Sequence, residues 1–318
     1  MNPAFALNRL LQAALTLVVV SFLVYVLIGL MPGDPVDLMA AGNPHMTPED
    51  VARLRAIYGL DQPLISRYWH WLSAALQGDL GYSRLYNLPV FSVLLPRFLN
   101  TGILLGLSLL FTVGFAIPMG VYAARHAGTP SDKAINLFCL AGISLPHFWL
   151  GLLLICLFAV TLGWLPAGAS LSGALGDNLK SMILPVTALT FSGLAVYIRH
   201  LRAAMGEALK ADHIRTARAK GCSESQVVWN HAFKNALPPI VTVFMLDLGT
   251  LFSGALTIET IFGFPGMGKL MFDSIMGNDY NLALTGFLIL TFFVLLANFM
   301  ADLLYAVLDP RVSYAGAR

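Results

Sequence analysis

Long apolar runs separated by polar intervals mark out almost the whole chain. The first run, Leu10 to Leu30, has 21 residues and follows Arg9. It is longer than the ~7–15 apolar residues of a cleaved secretion signal, so it is expected to stay as a first membrane span. A polar stretch follows from Pro32 to Arg97 and holds two helical patterns. One starts at Thr47-Pro48-Glu49-Asp50, an N-cap with proline in the first position and acids in the first turn. The other carries Tyr68, Trp69, Trp71 and Leu72. Five more apolar runs are expected to span the membrane: Gly102 to Ala124, Ala134 to Leu162, Met182 to Ile198, Leu237 to Ile258 and Leu282 to Val307. The pattern predicts an all-α membrane protein of six transmembrane helices in three parts. Residues 1–31 form the N-terminal end and first helix, 32–99 a helical cap outside the bilayer, and 100–318 a five-helix core.

Within that core, the region 199–236 is polar, and its centre is Asp212 to Pro238, DHIRTARAKGCSESQVVWNHAFKNALP. It reads as two short helices broken at Gly221. Ser223 with Gln226 three residues on has the form of a capping box. Beyond it, Trp229, Phe233, Ala236 and Leu237 fall on one helical face, and Pro238-Pro239 is expected to open the next apolar helix. Such an element can lie on lipid headgroups, insert into a groove of a soluble partner, or be a solvated basic loop.

Composition agrees with a membrane protein. Charged residues make up 11% and hydrophobic ones 57% of the 318 residues, against ~25% charged in soluble domains, and the mean hydropathy is +0.73. Charge placement sets orientation. Twelve of the nineteen Lys and Arg residues fall at the N-terminus, in 125–133, in 199–236 and at the C-terminus. The positive-inside rule therefore places both termini and the 212–238 loop in the cytoplasm, and the 32–99 cap outside.

Several chemistries have no motif here. The chain lacks G-x-x-x-x-G-K-[ST], H-E-x-x-H, C-x-x-C and G-x-S-x-G. Cys139, Cys156 and Cys222 have no metal spacing, and seven histidines are scattered, so no catalytic and no metal-ligating residues are assigned. Charges in apolar runs matter more, because a carboxylate at membrane depth usually faces a partner or a water-filled cavity. Asp247 is either a pore-lining group or a helix-to-helix hydrogen bond. Asn298 and Asp302, four apart, read as structural, with a snorkelling cation as partner. Pro118, Pro146, Pro185, Gly249 and Gly254 interrupt spans. The stretch IETIFGFPGMGKLMFDSIMGND, 258–279, carries four glycines and suits a re-entrant segment at the outer mouth of a pore. Its candidate gate residues are Glu259, Phe262, Phe264, Pro265, Gly266 and Gly268.

Taken in order, MPGDP (31–35), YGLDQPL (58–64), GDLGYS (78–83), SLPHFWLG (144–151), RTARAKG (215–221), NALPP (235–239), IETIFGFPGMG (258–268) and LDPR (308–311) resemble the permease subunits of binding-protein-dependent ABC importers, in the dipeptide, oligopeptide and nickel branch. That family has a cytoplasmic signature, E-A-A-x-x-x-G followed by I-x-L-P. Here Arg215, Thr216 and Ala217 stand at E-A-A, Gly221 matches, and Asn235, Ala236, Leu237 and Pro238 stand at I-x-L-P. Arginine replaces the glutamate and asparagine the isoleucine. Gly221 and Pro238 are 17 apart, about one helical turn more than in the general signature. The resemblance implies the type I importer permease fold in a bacterial inner membrane. It also implies a coupling helix that docks on a separate ATPase, with Ala217 expected on the docking face. The implied partners are a homologous second permease, two ATPase subunits that bind ATP and Mg, an extracytoplasmic solute-binding protein, and membrane lipid. No cofactor is expected in this chain, no enzymatic activity, and no nucleic acid partner. The implied solute is a short peptide, with nickel or a metal chelate as the alternative. A stand-alone channel or carrier is the contrasting reading, disfavoured because the spans lack paired buried charges and an inverted repeat. A membrane enzyme is disfavoured by the absent motifs.

Overall fold

A computed structural model of the chain describes residues 3–30, 36, 40, 45–57, 60–171 and 175–308. The MPGDP motif, residues 58–59 of YGLDQPL and the LDPR motif after Leu308 lie outside the described residues, as does the side chain of Asp302. Among the described residues the structure is helical, with one isolated β-bridge between Tyr82 and Pro89. Eleven helices are labelled here: α1 Pro3–Gly29, α2 Pro48–Ile57, α3 Leu64–Leu76, α4 Val90–Arg125, α5 Pro130–Ser144, α6 His147–Leu154, α7 Leu175–Ala208, α8 Asp212–Ala219, α9 Phe233–Ile261, α10 Met267–Met276 and α11 Tyr280–Leu308. Four of the described helices are long and apolar enough to cross a membrane, or five if the bent pair α5–α6 is one span.

The chain divides into two compact units. One comprises Asn2–Leu99 and Lys269–Leu295. Its α2 starts where the cap residues place it: the Thr47 hydroxyl accepts from the Asp50 amide (3.2 Å), and the Asp50 carboxylate accepts from the Thr47 amide (3.1 Å). α3 lies against α1 through Tyr68, whose hydroxyl meets Ser21 Oγ at 2.7 Å in a buried site. Phe22, Tyr25 and Trp71 surround its ring. The segment after α3 is tied down by Asp279, whose carboxylate accepts from Ser83 Oγ (2.5 Å) and from the amides of Leu85 (3.0 Å) and Leu282 (3.2 Å). α4 begins at Val90, so the last ten residues assigned to the cap already belong to the helix that carries the second span.

The other unit comprises Asn100–Gly268 and Leu296–Arg318. α7 is its central post, flanked by α5, α6 and α9. Thr112 on α4 donates to the Thr190 carbonyl on α7 (3.4 Å), and Thr190 donates back to the Ser108 carbonyl (3.2 Å). These reciprocal bonds satisfy hydroxyls that lipid could not.

Two expectations about the spans are corrected here, and a third, the interruption at Pro146, is found: within Ala134 to Leu162, α5 and the helix that begins at His147 are bent by 103°. Pro146 has no N–H to donate, and Leu145 before it is extended (φ −86, ψ 123), as a pre-proline residue prefers. Pro118 and Pro185, also expected to interrupt spans, lie inside the continuous α4 and α7. Finally, α9 does not open at Pro238 but runs through Pro238 and Pro239 from Phe233.

Candidate functional site

Three features of the Asn100–Gly268 unit carry the residues singled out by sequence. The first is the 212–238 loop. α8 ends in a Schellman motif. The Gly221 amide bonds the Arg218 carbonyl (3.0 Å) and the Cys222 amide bonds the Ala217 carbonyl (3.2 Å), with Gly221 at φ +82. The chain then turns into the Ser223 capping box, Gln226 N–H to Ser223 Oγ at 3.4 Å and Ser223 N–H to Gln226 Oε1 at 3.0 Å. One turn, Glu224–Gln226, leads into a π-helical segment, Val227–Ala232. Arg218 clamps Glu224 across the turn at 2.8 and 3.2 Å. That guanidinium holds the Glu224 carboxyl below its usual range. A carboxyl lowered in the folded state contributes above its unfolded pKa and loses that contribution as pH falls. This clasp on the turn therefore weakens in acid.

The inner face of the loop is Ile214, Ala217, Val227, Val228, Ala232 and Ala236, buried together against Leu201 and Met205 of α7. This corrects the expectation for Ala217, which is 5% exposed and faces the chain's own bundle. Ile214, three residues earlier on the same helical face, carried that information. The exposed face instead presents Arg215, Thr216, Arg218 and Lys220. The apolar stripe after Ser223 is also shifted. Trp229 is 41% exposed, Phe233 and Leu237 are half-buried and Pro238 is exposed. The wider turns of the π-helical segment rotate the stripe relative to an ideal α-helix. Asn235 donates to the His231 carbonyl (2.7 Å) and lies 3.1 Å from His213 Nε2, tying the start of α9 to α8.

The second feature is the turn from Glu259 to Gly268. Glu259, Phe262 and Phe264 are each 1% exposed or less. Both rings sit in a core with Leu104, Leu184 and Ile258. The Glu259 carboxylate accepts from Thr101 Oγ (2.6 Å), and that hydroxyl accepts from the Met267 amide (2.8 Å). Asn100 Nδ2 donates to the carbonyl of the half-buried Pro265 (2.8 Å). Two glycines make this closure possible. A Cβ on Gly266 would stand 2.2 Å from Glu259 Oε1, and one on Gly268 would stand 2.4 Å from Leu256 Cα.

The third feature is a cavity of about 580 Å³ at the Pro146 break. Its walls come from α4, α6, α7 and α9, and its polar lining includes Ser108, His147, Ser192, Tyr197, Asp247 and Thr257. The structure thus places Asp247 at a cavity wall, half-buried. Nothing in the local sequence pattern could have brought His147 and Asp247, a hundred residues apart, to one cavity; the bend at Pro146 does so. Among the described residues, no group of three or more His, Cys, Asp or Glu could hold a metal ion.

Residues 116–314 match the family of binding-protein-dependent transport system inner membrane components. Residues 3–105 match the N-terminal region of such membrane components. Over 310 residues the chain is 37% identical to a glutathione transport system permease protein of Escherichia coli K12, covering 98% of this chain and 99% of the relative. A Shigella flexneri protein of the same description is 36% identical over the same shares. A di/tripeptide transport system permease protein of Pseudomonas aeruginosa is 39% identical over 320 residues, 93% of this chain and 94% of the relative.

Proposed function

Because the chain belongs to the family of inner-membrane components of binding-protein-dependent transport systems, it is a non-catalytic permease subunit of an ABC importer, and we propose that its solute is a short peptide. The observation that carries this reading is near-full-length similarity to permeases described for glutathione and for di- and tripeptides. Both are short chains with a free amino terminus and free carboxylates. The chain then forms the pathway with a homologous permease, receives solute from an extracytoplasmic binding protein, and is driven by two separate ATPase subunits.

In this reading the 212–238 loop is the ATPase contact. Its support is a rigid construction, with a Schellman stop, a capping box and an apolar underside, that presents Arg215, Thr216, Arg218 and Lys220 outward. Gly221 supplies the turn, and Leu237 with Pro238 leads the chain back into the span. The Glu259 to Gly268 turn is proposed as part of the outer gate, with the half-buried Pro265 at its surface and the buried Phe262, Phe264 and Gly266 holding the turn in shape from within. Asp247 is proposed to line the pathway. Proteoliposomes containing the full complex, ATP and binding protein are expected to accumulate a labelled dipeptide, and excess unlabelled tripeptide is expected to compete. Uptake of nickel alone, with no peptide uptake, would reject the peptide reading.

The same proposal places both termini in the cytoplasm and 32–99 outside, on the placement of twelve of the nineteen basic residues. Glu49→Cys, at an exposed position in the first turn of α2, is expected to react with a membrane-impermeant maleimide in intact spheroplasts. Reaction only after lysis would reverse the orientation.

A further inference from the structure

The cavity at the Pro146 break lies among apolar helices, yet one of its walls carries a carboxylate. Asp247 comes from α9, Tyr197 from α7 and His147 from the first turn of α6. Tyr197 is 4% exposed. Tyr197 lines the same cavity as Asp247. Among the described lining residues Asp247 is the acid, and there is no lysine or arginine. Low-dielectric walls focus the field of a carboxylate into the cavity and concentrate ions of the opposite charge. A carboxylate at membrane depth is costly and is retained where a polar partner or water meets it. About 580 Å³ falls inside the ~300–1,000 Å³ range of small-molecule sites.

We propose that Asp247 forms a solute-contacting subsite for a primary ammonium group, with the Tyr197 hydroxyl accepting a second proton of the same group. This rests on the peptide-importer reading and deepens it: the ammonium is the amino terminus of a peptide in transit. The subsite adds a preference within the membrane to the selection made by the binding protein. An ammonium is a strong donor of three hydrogen bonds, and the carboxylate and the phenol offer two acceptors on adjacent helices.

The test uses the full-length chain in membranes with Cys139, Cys156 and Cys222 replaced by alanine. Ser192→Cys, on the cavity wall, then serves as reporter. Its reaction rates with a cationic and an anionic methanethiosulfonate of similar size are each divided by the rate on a free thiol. The normalised cation-to-anion ratio is expected to be about tenfold or more, to fall towards one in Asp247→Asn, and to persist in Asp247→Glu. Thr257→Cys, on a different wall, is the second reporter and is expected to give the same pattern. If both reagents reach the thiols but the ratio ignores Asp247→Asn, the ammonium subsite is wrong and the pathway reading stands. If neither reagent reaches either thiol with or without ATP and loaded binding protein, the cavity is not part of the pathway, and both readings fall.

Discussion

Gly268→Ala is expected to abolish transport and to destabilise the purified chain by about 3 kcal/mol or more, the upper range for forcing extra volume into a filled site. The reason is the identity of the atom in the way. The new Cβ would lie 2.4 Å from Leu256 Cα and 2.9 Å from Leu256 N. A side-chain end could rotate aside, whereas the backbone of α9 cannot yield without breaking helical hydrogen bonds. Gly266→Ala is expected to be milder, because its Cβ meets the Glu259 carboxylate, which can withdraw at the expense of the Thr101 bond. Gly106→Ala is the control: its Cβ meets nothing within 4 Å, and alanine favours the helix by roughly 1 kcal/mol. Thermal unfolding in detergent checks the order: Gly268→Ala lowest, Gly266→Ala intermediate, Gly106→Ala at or above the parent. Equal melting of Gly268→Ala and Gly106→Ala would mean that the Glu259 turn is not built as described.

Arg202→Ala is expected to cost about 2 kcal/mol, less than for a fully buried pair because Arg202 is partly exposed, since it strands the buried Asp132 charge. Asp132 has a side chain 3% exposed, against 32% for Arg202. Arg202 holds it by two bonds of 2.6 and 2.7 Å. The Gly128 amide (2.8 Å) and Asn136 Nδ2 (2.8 Å) supply the rest of its shell. The pair fastens the start of α5 to the end of α7, the helix that leads into the 212–238 loop. Asp132→Ala with Arg202→Ala is expected to recover most of the loss, since no buried charge is then left unpaired. A double-mutant cycle of thermal unfolding that gives a coupling energy within ~0.5 kcal/mol of zero would show the two residues acting independently.

Neither of these features was readable from the sequence, and the reason is separation along the chain. Asp132 and Arg202 are 70 residues apart, and Thr101 and Glu259 are 158 apart. No periodicity links such pairs. Local chemistry was far more legible. Thr47 and Ser223 begin their helices with the bonds their spacing implies, and Gly221 breaks the loop where expected, in a left-handed turn. The apolar runs located the long helices, because a membrane helix announces itself by composition alone. What failed was proline and orientation. Of the expected proline interruptions, Pro146 bends the chain sharply while Pro118 and Pro185 sit inside continuous helices, and a single chain offers no local mark that separates the cases. Ala217, one turn before Gly221, is expected on the outer face, whereas it is buried with Ile214 on the same inner face. The π-helical Val227–Ala232 displaced an apolar stripe that had been laid out with α-helical spacing.

The loop is also where the account as a whole is most exposed. If this chain is driven by separate ATPases through Asp212 to Pro238, then changing its outer face must disconnect the two without unfolding the permease. Gly221→Asp adds a Cβ with nothing within 4 Å but in a left-handed conformation that costs about 1–2 kcal/mol. Arg215→Glu reverses a charge on a side chain 79% exposed, where substitutions seldom change stability by more than ~0.5 kcal/mol. The measurement is ATP hydrolysis by the reconstituted complex with and without solute-loaded binding protein. Both variants are expected to assemble in the membrane and melt within a few degrees of the parent, yet to lose at least about tenfold of the stimulation and of the uptake. Full stimulation and full uptake in both variants would contradict the account, and would leave this loop a solvated basic linker.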